Sequence, residues 1–151
     1  MRSAPHPAWP GTVFRATRAS RLDAFDGLVE SLSAWAKSVG VEDPTLRDVI
    51  LILDELFSNI VIHGYRYDPN GEIRVEAAVE DRQVHVTLTD HAPLFNPLLV
   101  PEPDTTLPLE ARPIGGLGLL FVRRTADELR YWPAEPNSPG PANRLRFTKF
   151  L

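Results

Sequence analysis

Apolar residues along this chain recur in two rhythms, one helical and one alternating. From Arg21 to Val39 they fall at positions 22, 25, 28, 29, 32, 35, 36 and 39, one face of an α-helix, and Gly40 closes the run. A second helical run starts near Asp43, whose carboxylate is placed to cap, with Pro44 suited to the first helical position. It continues to His63 and stops at Gly64, with Leu46, Val49, Ile50, Leu53, Leu56, Phe57, Ile60 and Val61 as its stripe. A third helix is predicted from about Leu117 to Ala126. Five shorter stretches read as strands: 12–18, 72–80, 83–90, 128–133 and 143–151. The first is expected at a sheet edge. The two-residue link at 81–82 predicts a hairpin, and the last two strands close a second one around a Pro-rich loop, 133–142. This order predicts an α+β fold, a two-layer sandwich whose mixed, mostly antiparallel sheet is covered on one face by helices.

Length and composition narrow the class. A chain of 151 residues with 43% hydrophobic and 24% charged residues fits one globular domain, expected over 11–151 after a loose arm, 1–10, that carries three prolines. A net charge of −4 argues against a sequence-independent grip on nucleic acid, which needs a basic surface. No apolar stretch approaches the ~20 residues of a membrane span, and the start, MRSAPHPAWP, has no signal-peptide core, so a cytoplasmic protein is expected. The absence of cysteine excludes disulfides, thiol nucleophiles and Cys-based metal sites. The four histidines, at 6, 63, 85 and 91, lack zinc-ligand spacing.

Three segments carry chemistry. In DELFSNIVIHGY (54–65), Glu55 lies roughly opposite the centre of the apolar stripe, and Asn59 and His63 follow at steps of about 40°. Leu51, Ile52 and Ile62 flank this polar row, a pattern that fits a cleft wall better than a face turned to water. Asn59 offers the hard, neutral oxygen that Mg²⁺ accepts, although an amide on a helix surface is the commoner case. Glu55 can take a proton from a hydroxyl or orient a water, or be an ordinary solvated glutamate. His63 can meet a phosphate or simply finish the helix, where a cation suits the dipole. Asp90 ends a strand and opens DHAPLFNP; as a carboxylate it accepts a hydrogen bond from an amine, or it initiates a turn. Six prolines between 93 and 113 exclude regular structure there, and a loop of more than about 15 residues is usually functional or disordered. It ends in GGLGLLFVRR, where Gly115, Gly116 and Gly118 make either a hinge or a nest of N–H groups for an anion.

Taken in order, DELFSNIVIHGY, DHAPLFNP and GGLGLLFVRR resemble the N, G1 and G2 boxes of the GHKL (Bergerat) ATP-binding fold shared by histidine kinases and gyrase, and most of all its anti-sigma factor serine/threonine kinases. The likeness covers essentially the whole chain. It implies ATP and Mg²⁺ as cofactors, Asn59 as the metal ligand and Glu55 as general base. Asp90 would read the adenine amino group, with His63, Phe95, Gly115, Gly116, Leu117, Gly118 and Leu119 also contacting the nucleotide. The segment at about 91–115 would be a lid; Arg112 on it could swing in against the phosphates, although an arginine on the lid surface is the commoner case. The implied partners are a sigma factor, held inactive, and an anti-anti-sigma (STAS-type) protein phosphorylated on serine or threonine, with a homodimer as a further possibility. One departure bears on this. Relatives have glycine two residues after the Asp, and here Ala92 stands there; a Cβ with a conformational cost is expected to tighten the adenine pocket. That opens an alternative, a protein-binding module with the fold and little catalysis.

Overall fold

The computed structural model describes residues 12–101, 106, 117–134 and 139–151; the side chain of Leu117 is also outside this set. The arm at 1–10, Gly115, Gly116, Arg112 and most of the lid expected at about 91–115 therefore lie outside the described residues.

Five strands form one sheet: β1 (Phe14–Ala19), β2 (Glu72–Glu80), β3 (Gln83–Asp90), β4 (Glu128–Pro133) and β5 (Asn143–Phe150). Their order is β1-β2-β3-β5-β4, which puts β1 at an edge as its sequence predicted. Among the described residues all four pairings are antiparallel, so the mixed sheet expected is not found there. The reason lies in the order. The crossover from β3 to β4 would have made a parallel pair, but β5 inserts between them. The β2–β3 link is the tight hairpin expected, with Asp81 and Arg82 at φ 51° and 62°, the left-handed pair that a two-residue turn needs to match strand twist.

The first helical run holds a single 3-10 turn, Leu22–Ala24, and then α1, Phe25–Ser38. Gly40 ends it at φ 86°, its N–H on the Lys37 carbonyl and the Val41 N–H on that of Ala36, the paired bonds of a Schellman close. The second helix, α2, spans Asp43–Asn59. Asp43 is not its cap. The Glu42 carbonyl already accepts the Leu46 N–H at 2.9 Å, so the helix begins one residue earlier than expected, and the Glu42 side chain makes no capping bond. Nor does regular winding reach His63. Ile60–Gly64 is a π-helical turn, closed by Tyr65 N–H on the Ile60 carbonyl at 2.8 Å. The third helix, α3, is Leu117–Thr125.

The helices cover one face of the sheet. Alternation sends Ile73, Val75, Ala77, Val84, Val86, Leu88, Leu145 and Phe147 to that face, where they meet Leu28 and Leu32 of α1, Leu53 and Phe57 of α2, and Val122 of α3. Because α2 packs against both α1 and α3, its buried arc is wider than a single stripe. Ile52, expected beside the polar row, is therefore fully buried, while Leu51 is exposed. On the opposite face, Arg15 pairs with buried Glu76 at 3.2 Å, and Trp132 lies between Arg130 and Arg146. No helix among the described residues is long and apolar enough to cross a membrane.

Candidate nucleotide site

The alternation that builds the core also places a polar pair inside it. Val84, Val86 and Leu88 point to the helices, and the next position of that parity on β3 is Asp90. On β5 the same face runs Phe147, Leu145, Asn143. Asp90 and Asn143 are direct cross-strand partners, so both enter the space between sheet and helices at one end of the sandwich. There a cavity opens. Leu56, Ile60, Phe95, Pro97, Leu119 and Leu145 give it apolar walls; its polar groups are Asn59, Asp90, Tyr131 and Asn143. An apolar slot with few convergent polar groups is the usual form of a small-molecule site.

Asp90 is held at one oxygen. Its Oδ1 accepts the Ala92 N–H at 2.9 Å and the Asn143 Nδ2–H at 2.9 Å. Burial pushes its carboxyl above the ordinary aspartate range; the bonds from Asn143 and Ala92, and nearby His91, act against this without cancelling it. Asn143 is the hub of the end wall. Its Nδ2 also reaches the Ala92 and Pro93 carbonyls at 3.1 and 3.2 Å, and its Oδ1 accepts from the Phe95 N–H at 3.0 Å and the Tyr131 hydroxyl at 2.5 Å. The Tyr65 hydroxyl steadies the same loop from outside, donating to the Glu72 carbonyl at 2.8 Å and accepting the His91 N–H at 2.7 Å.

The polar row of α2 divides. Asn59 lines the cavity. Glu55, one turn earlier, lies against the start of α3. A Cβ on Gly118 would collide with its carboxylate, meeting Cδ at 2.9 Å, so a side chain at 118 would push the Glu55 carboxylate out of its present place. His63 is exposed and is not among the cavity-lining residues. A π turn advances each residue by less than the 100° of an α-helix, so His63 swings off the line that Glu55 and Asn59 define. Phe95 and Leu119 line the cavity; Gly118 sits beside it through Glu55, and Leu117 begins α3.

Ala92 departs from its expectation. Its φ is not in the left-handed region, where the only non-glycine residues described are Arg66, Tyr67, Asp81 and Arg82. The conformational cost therefore does not arise. Its methyl is buried, and a Cβ on Gly64 would lie 3.0 Å from it, so the missing side chain of Gly64 makes the room.

Sequence reasoning missed Asn143, Tyr131 and Arg123. The first two needed the β3–β5 and β4–β5 registers. Arg123 grips the base of the Pro-rich segment, donating from Nη2 to the Pro97 and Val100 carbonyls at 2.7 and 2.5 Å. That contact ties α3 to a loop far away in sequence, and no local signal announces it.

The cavity is thus bounded by α2, the end of β3 and the start of α3 within a two-layer α+β sandwich. The model of the histidine kinase-like ATPase domain family matches residues 19–149, and the chain belongs to that family. It is similar to the anti-sigma F factor of Geobacillus sp. (strain WCH70), 39% identical over 51 residues, which are 32% of this chain and 35% of that protein. The matched stretch thus spans about a third of the length of the anti-sigma F factors. The serine-protein kinase RsbW of Listeria monocytogenes serovar 1/2a is 26% identical over 106 residues, 68% of each chain. The crystal structure of the RsbU and RsbW domains of Rv1364c from Mycobacterium tuberculosis superposes with a TM-score of 0.61 at 20% identity, over 92% of this chain and 32% of that one. At that identity the likeness speaks for the fold.

Proposed function

We propose that the chain is a Mg²⁺–ATP-dependent serine/threonine kinase of the anti-sigma type, which holds a sigma factor and phosphorylates a hydroxyl on a small anti-anti-sigma (STAS-type) antagonist. The observation that carries this reading is convergence: Asn59 and Asp90 line the same cavity, and Glu55 packs on Gly118 where α3 begins. The similarity to anti-sigma F factors and RsbW supports the choice of acceptor and partner.

The residues present fit the nucleotide. The apolar walls suit a heteroaromatic ring, and Asp90 Oδ2, which accepts no hydrogen bond from the described residues, is available to its amino group. Among the described residues no cluster of three acidic or histidine side chains is placed to hold a metal ion. Mg²⁺ in this class of chemistry needs none, since it takes few protein ligands and keeps several waters. Asn59 would hold it; when bound, it neutralises charge on the phosphates. Glu55 takes the proton of the acceptor hydroxyl as the hydroxyl oxygen bonds to the γ-phosphorus and the bond to the ADP oxygen breaks. Leu94, Phe95, Leu98 and Leu99 leave four large apolar side chains exposed at the rim, where a protein acceptor would dock.

The test is incubation of the protein with γ-labelled ATP, Mg²⁺ and a candidate antagonist. Label on a serine or threonine of the antagonist is the expected result. Phosphate release that is independent of any antagonist, with no labelled protein, would make it a hydrolase. Absence of both, with no nucleotide bound, would leave a binding module.

A further inference from the structure

We infer that Asn143 is a specificity-determining positioning residue: it keeps Asp90 a hydrogen-bond acceptor toward the cavity, and so selects a ring that presents an amino group over one that presents a carbonyl. The inference rests on the nucleotide reading above.

The geometry leaves the Asn143 amide a single orientation. Its Oδ1 faces two donors, the Phe95 N–H and the Tyr131 hydroxyl, and its Nδ2 faces three oxygens, those of Asp90, Ala92 and Pro93. A flipped amide would set oxygen against oxygen and N–H against N–H. The donor edge is therefore locked onto Asp90 Oδ1. With the Ala92 N–H on the same atom, Oδ1 is fully engaged and Oδ2 is the oxygen left for a ligand. Both donors favour the ionised carboxyl, against the burial that favours the neutral one. Ionised, Oδ2 can only accept, which suits the N6 amino group of adenine and repels the O6 carbonyl of hypoxanthine. Protonated, it can donate, and the preference reverses. Asn143 decides which state prevails.

Among the described residues, the titratable groups around this carboxyl are His91, next along the chain, Tyr65 beyond the π turn, and Tyr131 on β4. Burial raises both tyrosines, which stay neutral across the working range. His91→Gln therefore serves as the background in which Asp90 titrates without a histidine beside it.

The experiment is calorimetric titration of the full chain with Mg²⁺–ATP and Mg²⁺–ITP at about pH 6 and about pH 8, thermal unfolding being recorded for each variant. Wild type is expected to favour ATP by about tenfold or more, the scale of a hydrogen bond to a charged group. Asn143→Leu keeps the branched shape and removes the side-chain donor, leaving the Ala92 N–H; its ATP preference should collapse toward unity at the lower pH and recover in part at the higher. Asn143→Asp places a second carboxyl against Asp90, and such a pair shares one proton, which restores the donor. It should regain most of the ATP preference at the lower pH, where Asn143→Leu has lost it. A purely structural role would weaken both nucleotides alike, with no change in their ratio. An unchanged ratio in a folded Asn143→Leu, while wild type still discriminates, overturns the inference and leaves the nucleotide reading intact. Failure of wild type to bind either nucleotide overturns the nucleotide reading instead.

Discussion

Glu55→Ala is expected to cut phosphoryl transfer to the antagonist by about 10²–10⁴-fold, the usual worth of a general base, while Mg²⁺–ATP binding stays within about threefold of wild type. The split follows from position. Glu55 shares a helix face with Asn59 but does not line the cavity; its carboxylate rests on the Cα side of Gly118. Glu55→Gln preserves that packing and removes the basicity, so it should lose transfer nearly as completely. If the glutamine variant transfers phosphate at the wild-type rate, Glu55 is a packing residue between α2 and α3 and the proposed base is wrong. Steady-state transfer assays paired with calorimetry on the same preparations separate these outcomes.

Asp90→Ala should weaken ATP by about 10–100-fold, the cost of losing a hydrogen bond to a charged group. The fold should survive, because Asn143 keeps the Ala92 and Pro93 carbonyls as acceptors. The pH dependence gives this residue a signature. Burial raises the Asp90 carboxyl above its value in the unfolded chain, so the folded state binds that proton more tightly. Between the unfolded and folded values, the stability of the nucleotide-free protein therefore rises as pH falls. ATP affinity moves the opposite way, falling as the same carboxyl protonates and stops accepting. Affinity and stability that change in opposite directions over one pH window, both flattened in Asp90→Asn, would mark Asp90 as the group responsible. Parallel changes would assign the titration elsewhere.

Much of this architecture is legible from periodicity, for reasons visible in particular residues. The strand at 83–90 alternates apolar and polar residues because one face meets the helices, that at 72–80 does so up to Ala77, and their two-residue link leaves only the hairpin. The row of Glu55 and Asn59 stands out because apolar Leu51, Ile52 and Ile62 flank it. What escaped depends on information between elements. The π turn at 60–64 inserts its extra residue without disturbing the apolar spacing, so His63 was read along a line it does not follow. Asn143 looks like any polar residue at a strand start until the register sets it opposite Asp90. Ala92 in a glycine's place implies a conformational cost, but the backbone there has no positive φ, and the compensating space comes from Gly64. Arg123, two turns into α3, gains its partners from carbonyls near the other end of the Pro-rich segment. A polar residue that faces the core at the end of a strand is the signal to pursue, since it must find a partner or line a site.

The central claim is that the α2 polar row and the cavity hold a nucleotide with its divalent ion. Calorimetric titration of ATP, with and without Mg²⁺, into wild type and Asn59→Ala tests it most directly. Saturable binding that Mg²⁺ strengthens in wild type, with that Mg²⁺ dependence lost in Asn59→Ala, is the predicted result. No binding up to about millimolar ATP, or an Asn59→Ala variant with the full Mg²⁺ effect, would contradict it.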